Sequence, residues 1–227
     1  MLYLVATPIG NLRDITLRAL EILKSSDFIA CEDTRRTGQL LKQYEIEKKM
    51  ISFHEHSGPG RVREIVSLLK EGKTVALVSD GGTPLISDPG FPLVREAVRE
   101  DIRVESIPGP SSVIAALAVS GLPTERFTFT GFLSTKSNRR KKELKELAEL
   151  GHTLVFFESP YRLLATLAEM VEIFPDREAS VSRELTKKFE ETVRGRLPEI
   201  QKHFAKRKIL GEIVLVVAGK DRKKVFE

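Results

Sequence analysis

The first half of the chain alternates short apolar runs with amphipathic stretches, five times in succession. The apolar runs have the length of buried strands, and the amphipathic stretches carry apolar residues at helical spacing. Strands separated by helices of about 10 residues predict a mostly parallel sheet with helices on both faces, and ligands bind such sheets beyond the carboxyl ends of the strands. The predicted strand and helix pairs are residues 2–6 with 16–24, 28–31 with 34–44, 50–53 with 61–70, 74–79 with 92–99, and 103–107 with 111–119.

The pattern changes after Gly121, where helices become fewer and apolar runs follow one another more closely. This arrangement favours a mixed sheet that contains a hairpin. We therefore expect an α/β protein of two domains, 1–120 with a mostly parallel sheet and 121–227 with a mixed sheet. The predicted strands of the second half are residues 126–132, 153–157, 179–183, 189–194 and 212–218, and the predicted helices are 137–150, 161–173 and 197–204.

Length and composition allow one large domain or two smaller ones, with 227 residues of which 41% are hydrophobic. The single cysteine, Cys31, excludes an intramolecular disulfide framework. The first residues lack a basic segment followed by a long apolar stretch, and apolar runs such as 211–219 fall short of the roughly 20 residues that span a bilayer. We expect a cytoplasmic protein that does not cross a membrane.

The net charge of +5 belongs to the second half of the chain. Residues 1–115 contain 15 Lys and Arg against 16 Asp and Glu, and residues 116–227 contain 22 against 16. Six of the basic residues fall in the segment 136–145, which we call the basic segment. Such a cluster is typical of a surface that contacts nucleic-acid phosphates, and a solvated helix face is the alternative.

Three loops that follow predicted strands are rich in glycine, proline and polar residues. The loop 7–16 contains Pro8 and Gly10, but it has neither the dinucleotide-binding glycine spacing nor a Walker lysine. The loop 79–90 is far longer than a plain connection, and Asp80 at the strand end is placed to accept hydrogen bonds from a ligand. In the third loop, 108–112, serine precedes a small-residue helix whose N-terminal N–H groups can meet a ligand. Simple turns and helix caps are the alternative interpretation.

Polar clusters also follow the predicted strands two, three and seven, and one joins two later strands: residues 32–36, 54–56, 158–162 and 183–188. Four such clusters at strand ends suggest a shared cleft. The pair His54 and His56 lacks a nearby cysteine or third histidine, so we predict no metal site.

The sequences of these segments and their order along the chain resemble those of one known family. The segments 4–16, 31–37, 79–90, 108–112, 156–162 and 183–187 together resemble the ribosomal RNA small subunit methyltransferase I family of the tetrapyrrole methylase superfamily. The stretches 79–90 and 108–112 are shared widely in that superfamily, whereas 31–35, 157–160 and 183–187 are similar to the ribosomal RNA branch. Gly81 departs from the alanine expected of the family.

The resemblance implies two α/β domains with S-adenosylmethionine in the cleft between them, usually as a homodimer. It also implies methyl transfer to the ribose 2′-hydroxyl of a specific cytidine in small-subunit (16S) ribosomal RNA, free or in the assembled subunit. The residues that the resemblance places at the cofactor are Pro8, Ile9, Asp80, Gly82, Thr83, Ser111, Ser112, Phe157, Glu158 and Leu185.

A ribose hydroxyl is a weak acid, so a carboxylate, histidine or lysine is expected near it as a base or electrostatic helper. The candidates are Asp33, His54, Glu55, Glu184 and Lys187. The predicted contacts with RNA phosphates are Arg35, Arg139, Arg140, Lys141, Lys142, Arg162 and Arg183. Two alternatives stay open: a methyltransferase of the same fold that acts on a tetrapyrrole or a protein side chain, and a non-catalytic RNA-binding module.

Overall fold

The computed structural model describes residues 1–174 and 176–220, which form two compact units that divide between Ser111 and Ser112. The division falls earlier than the position near residue 120 that the sequence suggested. The difference is the helix that begins at Ser112, which packs on strands of the second unit. None of the helices within the described ranges is long and apolar enough to cross a membrane.

The first unit is a five-stranded sheet in which every neighbouring pair is parallel. The strand order is β3-β2-β4-β1-β5, so β4 and β1 lie at its centre. A short 3-10 helix, Leu12–Asp14, interrupts the loop after the first strand. The elements are β1 Leu2–Val5, α1 Leu17–Ser25, β2 Phe28–Cys31, α2 Thr34–Gln43, β3 Lys49–Ser52, α3 Pro59–Lys70, β4 Val75–Val78, α4 Phe91–Arg99 and β5 Val104–Ile107.

Both faces of this sheet are covered, because alternate residues of a strand point to opposite faces. Val75 and Leu77 of β4 join a cluster with residues of α3 and α4. Ala76 and Val78 join a second cluster with residues of α1 and α2. All four residues are buried, which explains why the sequence shows β4 as a continuous apolar run.

The second unit is a five-stranded mixed sheet with the order β6-β7-β10-β8-β9. The β6 and β7 strands are parallel, and the other three pairs are antiparallel. The β8 and β9 strands form the predicted hairpin. The elements are α5 Ser112–Val119, β6 Phe127–Phe132, α6 Ser137–Ala148, β7 Thr153–Glu158, α7 Leu163–Ile173, β8 Glu178–Arg183, β9 Glu191–Arg196, α8 Leu197–Phe204 and β10 Ile213–Val217.

One large cluster forms the core of the second unit, where α6, α7 and α8 pack on the sheet. Its largest fully buried side chains include Phe156, Phe174 and Phe204. The small-residue helix α5 contacts β10 and β7. The predicted fold class, with a parallel first sheet and a mixed second sheet, is confirmed.

Candidate functional site

The loops after β1 and β4 are joined to each other at the carboxyl edge of the first sheet. Thr7 donates its N–H to the Gly82 carbonyl at 2.9 Å, and Gly82 donates to the Thr7 carbonyl at 2.8 Å. The Thr7 hydroxyl also donates to the Ser79 carbonyl at 3.1 Å. The two loops therefore form one structure, and the predicted cofactor residues Pro8, Ile9, Gly82 and Thr83 lie within it.

Glycine is required where these loops approach one another. Gly82 has a φ of +92°, and a Cβ built there would lie 3.5 Å from Ile9 and 3.9 Å from the Pro110 carbonyl oxygen. At Gly109 a Cβ would lie 3.0 Å from the Cβ of Ala6, which is closer than side chains normally pack. The loop after β5 thus lies against the other two.

Asp80 lies at the end of β4 and already has two partners within the protein. Its Oδ1 accepts the N–H of Asp33 at 3.1 Å, and its Oδ2 lies 3.4 Å from the Arg36 guanidinium. The carboxylate therefore links the loop after β4 to the start of α2. About a quarter of its side chain, 23%, is still exposed, so one part of it can meet a ligand.

Two further carboxylates near Asp80 carry raised pKa values. Burial raises the pKa of Asp88 to about 6, with a further contribution from the charges of Glu32 and Asp80. Burial and the charge of Asp80 also raise the pKa of Glu32. We call Glu32, Asp80 and Asp88 the acidic cluster. It is a place where a positive charge is favoured.

The raised pKa of Asp88 predicts how stability depends on pH. Protonation of a group with a raised folded-state pKa is favoured by folding. The protonated Asp88 carboxyl therefore contributes to stability in full below about pH 4, and this contribution is lost as the pH rises through about 6. We expect Asp88→Asn to stabilise the protein at pH 8 by about 1 kcal/mol, which allows for the solvent around a half-buried group. Thermal unfolding at pH 8 and pH 4 measures the difference, which should disappear at pH 4.

The matched control for that measurement is Asp14→Asn, which neutralises an exposed carboxylate of the same unit. It should change the melting temperature alike at both pH values. An Asp88→Asn variant that is no more stable than the parent at pH 8 would show that the Asp88 carboxylate is not held in an unfavourable site.

Three of the five predicted bases are poor proton acceptors in this structure. Hydrogen bonds from the Arg35 side chain and backbone lower the pKa of Asp33, which caps α2. Burial acts to raise the pKa of Glu184, but hydrogen bonds from Lys187 and the Glu212 backbone lower it. Burial acts to lower the pKa of Lys187, but its bonds to Glu212 and Glu184 raise it. These groups hold their charge at neutral pH.

The other two predicted bases, His54 and Glu55, lie in the loop between β3 and α3. An open cavity of about 400 Å³ lies beside this loop. The backbone N–H of His54 is fixed by the Ser57 hydroxyl at 2.9 Å. The cavity is lined by Ser52, His54, Ser57, Gly58, Gly60, Arg61 and Glu64.

In the second unit, Glu158 and Arg162 form an ion pair in which Glu158 is buried and Arg162 is partly exposed. Glu158 is 2% exposed and accepts the Thr166 hydroxyl at 2.6 Å and the Ser159 N–H at 2.7 Å. Arg162 pairs with Glu158 at 2.7 Å and donates to the Leu133 carbonyl at 3.2 Å. The predicted cofactor role of Glu158 and phosphate role of Arg162 therefore compete with a structural role.

Arg140, one of the predicted RNA contacts, is buried instead of exposed. It was predicted to contact RNA, but it is only 5% exposed and forms a bidentate ion pair with Glu169 of α7, at 2.6 and 2.8 Å. The Ser137 hydroxyl donates to the same carboxylate at 2.6 Å. A buried guanidinium cannot reach a phosphate, so Arg140 fixes α6 onto α7. Arg139, Lys141 and Lys142 remain on the surface of the basic segment.

The remaining predicted residues lie at strand ends or at helix starts. Phe157 of β7 packs edge-on against Phe129, with ring centroids 4.9 Å apart. Leu185 is 8% exposed and follows β8. Arg183 donates to the Leu210 carbonyl at 3.0 Å and pairs with Glu191. Arg35 is exposed, Ser111 follows β5, and Ser112 begins α5.

Sequence reasoning did not assign roles to Glu32 or Asp88. Asp88 belongs to the long loop after β4, and Glu32 directly follows β2. The extra length of that loop and the adjacency of β2 and β4 in a parallel sheet were the available signals. The burial that raises the pKa of both groups is visible only in the structure.

Comparison with known proteins gives consistent matches over nearly the whole chain. The sequence model of the family described as Tetrapyrrole (Corrin/Porphyrin) Methylases matches residues 1–201. A ribosomal RNA small subunit methyltransferase I of Thermotoga maritima is 52% identical over 220 residues, which cover 97% of this chain and 99% of the relative.

Solved structures show the same fold at low sequence identity. A cobalt precorrin-4 methyltransferase of cobalamin biosynthesis is 19% identical, with a TM-score of 0.73 over 96% of this chain and 94% of that one. A uroporphyrin-III C-methyltransferase of Thermus thermophilus, solved with S-adenosyl homocysteine, is 20% identical, with a TM-score of 0.67 over 96% of each chain.

Proposed function

This chain belongs to the tetrapyrrole methylase family and to its ribosomal RNA small subunit methyltransferase I branch, and from that premise we propose that it methylates small-subunit ribosomal RNA with S-adenosylmethionine as donor. The acceptor we propose is the ribose 2′-hydroxyl of a cytidine. Such a substrate would place the enzyme in the cytoplasm. The expectation of a homodimer rests on the family resemblance alone.

One observation carries the cofactor proposal: the bridged loops of the first unit lie beside the acidic cluster, in which Glu32 and Asp88 have raised pKa values. S-adenosylmethionine bears a sulfonium and an ammonium, and both are positive charges that such a cluster favours. When bound, it supplies an already activated methyl group. Gly82 itself is buried, and the exposed Gly81 before it leaves loop backbone open to the close approach of a polar ligand.

Within the first unit, we propose that Pro8, Ile9, Gly82 and Thr83 contact the cofactor through the joined loops, and that Asp80 accepts a hydrogen bond from it. Ser111 and Ser112 are proposed because they lie where β5 leads into α5. In the second unit Phe157, Glu158 and Leu185 stay predictions from the resemblance.

For proton removal from the ribose hydroxyl, we propose His54 or Glu55 as the base. Asp33, Glu184 and Lys187 are held in ion pairs that fix their charge, so their capacity to exchange a proton near neutral pH is small. The cavity at His54 leaves room beside the imidazole for a substrate group.

For the RNA, we propose that Arg139, Lys141 and Lys142 of the basic segment contact phosphates. Arg139 pairs with Glu143 of its own helix, at 3.4 Å, and Lys141 with Glu172 of α7, at 2.5 Å. Exposed pairs of this kind contribute little to stability, so a phosphate can replace the carboxylate partner.

Neutralising these three residues together should weaken RNA binding and reduce its dependence on salt. Each lost phosphate contact lowers the slope of log K against log salt by about 0.7–0.9. Affinity for S-adenosylmethionine should stay unchanged. Filter binding of small-subunit RNA to the Arg139→Gln, Lys141→Gln, Lys142→Gln variant over a salt series measures both effects.

The control is a charge-matched variant of exposed lysines in the first unit: Lys24→Gln, Lys42→Gln and Lys73→Gln. If both triple variants lose the same affinity and slope, the effect is one of net charge and the basic segment has no particular role.

The proposed function itself is tested with methyl-labelled S-adenosylmethionine, incubated with the protein and either purified small-subunit RNA or assembled small subunits. We expect label in the RNA of at least one substrate. Label in neither, together with transfer to a tetrapyrrole or a protein acceptor, would assign the chain to another activity of the same fold.

A further inference from the structure

A cavity in the second unit lies between the β8–β9 turn and the segment after α8. Its volume is about 370 Å³. Its floor contains Phe204, which is fully buried, and its rim contains Phe189 and Leu210, which are 64% and 51% exposed. We call this cavity the Phe189 pocket. It is lined by Arg183, Glu184, Phe189, Phe204, Arg207, Lys208, Ile209 and Leu210.

The turn that carries Phe189 is fixed by hydrogen bonds between the residues before and after it in the sequence. Thr186 donates its N–H to the Glu190 carboxylate at 2.7 Å, and the backbone N–H of Glu190 donates to the Lys187 carbonyl at 3.1 Å. Lys187 in turn bridges Glu184 and Glu212, at 3.0 and 2.9 Å. An exposed aromatic ring is thus held out from an ordered turn, which limits the entropy lost when a ligand stacks on it.

The charge around the ring is positive once internal pairs are taken into account. Lys187 is shared between Glu184 and Glu212, and Glu191 pairs with Arg183 and Arg207. With the Glu190 carboxylate included, the nearby groups sum to one positive charge: Arg183, Lys187, Lys188, Arg207 and Lys208 against Glu184, Glu190, Glu191 and Glu212. Lys188, whose Nζ lies 5.6 Å from the Phe189 ring centroid, and Lys208 form no ion pair with any residue that the structure describes. The Arg207 side chain is 40% exposed.

We infer that the Phe189 pocket binds an unpaired base of the substrate RNA, stacked on the Phe189 ring, with its phosphates near Lys188 and Lys208. The inference rests on the proposed function. Proteins that read single-stranded RNA combine an exposed aromatic ring, on which a base stacks, with cations that contact the backbone. The cavity is lined by the end of β8, the β8–β9 turn, the end of α8 and the segment after it, and it shares no residue with the basic segment.

The unpaired cations favour RNA over a second copy of this chain as the occupant. A protein partner would have to bring acidic groups to Lys188 and Lys208, whereas RNA brings a phosphate with every nucleotide. Two exposed apolar side chains beside cations, Phe189 and Leu210, also differ from the wide apolar patch on which stable protein interfaces rely.

The test compares Phe189→Ala, Phe189→Leu and Phe189→Tyr with the parent in filter binding of small-subunit ribosomal RNA. Removing a base stack should weaken binding about 5- to 150-fold. Leucine keeps apolar area but no ring face, so it should lose affinity nearly as alanine does, whereas tyrosine should keep the parent affinity. The salt slope should stay unchanged in all three, because stacking releases no counterions.

The matched control is Phe91→Ala, since Phe91 is 63% exposed and has Arg95 at 5.5 Å from its ring centroid. It should bind RNA as the parent does. Parent affinity in Phe189→Ala, or in Phe189→Leu, overturns the inference, as does a change of oligomeric state in sedimentation of Phe189→Ala. If the parent itself methylates no RNA, the proposed function fails instead.

Discussion

Arg140→Ala is expected to lower the free energy of unfolding by about 3–5 kcal/mol, because it leaves the Glu169 carboxylate buried without its partner. Arg140 and Glu169 are 5% and 8% exposed, and the guanidinium also donates to the Ser134 and Thr135 carbonyls. Truncation therefore leaves several acceptors unpaired at once. Urea unfolding of the parent and the variant measures the loss.

The neighbouring residue supplies the control for this measurement. Arg139 is also on α6 and also faces a glutamate, but its side chain is 76% exposed. Arg139→Ala should cost less than about 1 kcal/mol. The double variant Arg140→Met, Glu169→Leu should recover most of the lost stability, since it removes both charges together. Equal losses in Arg139→Ala and Arg140→Ala would contradict a buried ion pair.

Asp80→Ala is expected to weaken S-adenosylmethionine binding about 10- to 150-fold, which corresponds to about 1.5–3 kcal/mol for a hydrogen bond to a charged group. The structure adds a second effect, because the variant also leaves the Asp33 N–H without its acceptor. Asp80→Asn separates the two. It keeps an oxygen for that N–H and removes the charge that the cofactor would meet, so it should bind weakly and remain near parent stability. Calorimetry measures the binding.

A matched control for Asp80 is Asp27, whose carboxylate accepts the Thr74 N–H at 2.8 Å. Each of the two carboxylates accepts a backbone N–H and so links the segments beside the neighbouring strands β2 and β4. Asp27, however, precedes β2 and so lies at the amino edge of the sheet. Asp27→Ala should reduce stability without altering cofactor affinity. Parent affinity in a folded Asp80→Asn variant would exclude the Asp80 charge from the cofactor site.

The fold was predictable because the strands of a parallel sheet with two covered faces appear in the sequence as continuous apolar runs. Val75–Val78 is apolar at every position since both of its faces are buried. The boundary between the units was less visible. Helix α5 follows β5 as the earlier helices follow their strands, and only its contacts with β10 and β7 assign it to the second unit.

The contact between the loops was predictable from the sequence, but the surroundings of single side chains were less so. Glycine and proline mark where backbone must turn or approach, and Thr7 and Gly82 do meet. Charge patterns do not show which side of a helix is buried. Arg140 stands in a run of basic residues, but its partner Glu169 lies 29 positions later, so only packing separates it from Arg139.

The most direct test of the account is the position of the transferred methyl group. After reaction of small subunits with methyl-labelled S-adenosylmethionine, the RNA is cut with a base-specific ribonuclease, and mass spectrometry identifies the labelled oligonucleotide and then the labelled nucleoside within it. We expect label on the ribose of cytidine, in one sequence of the small-subunit RNA. Label on a base, or on the ribose of another nucleoside, would contradict it.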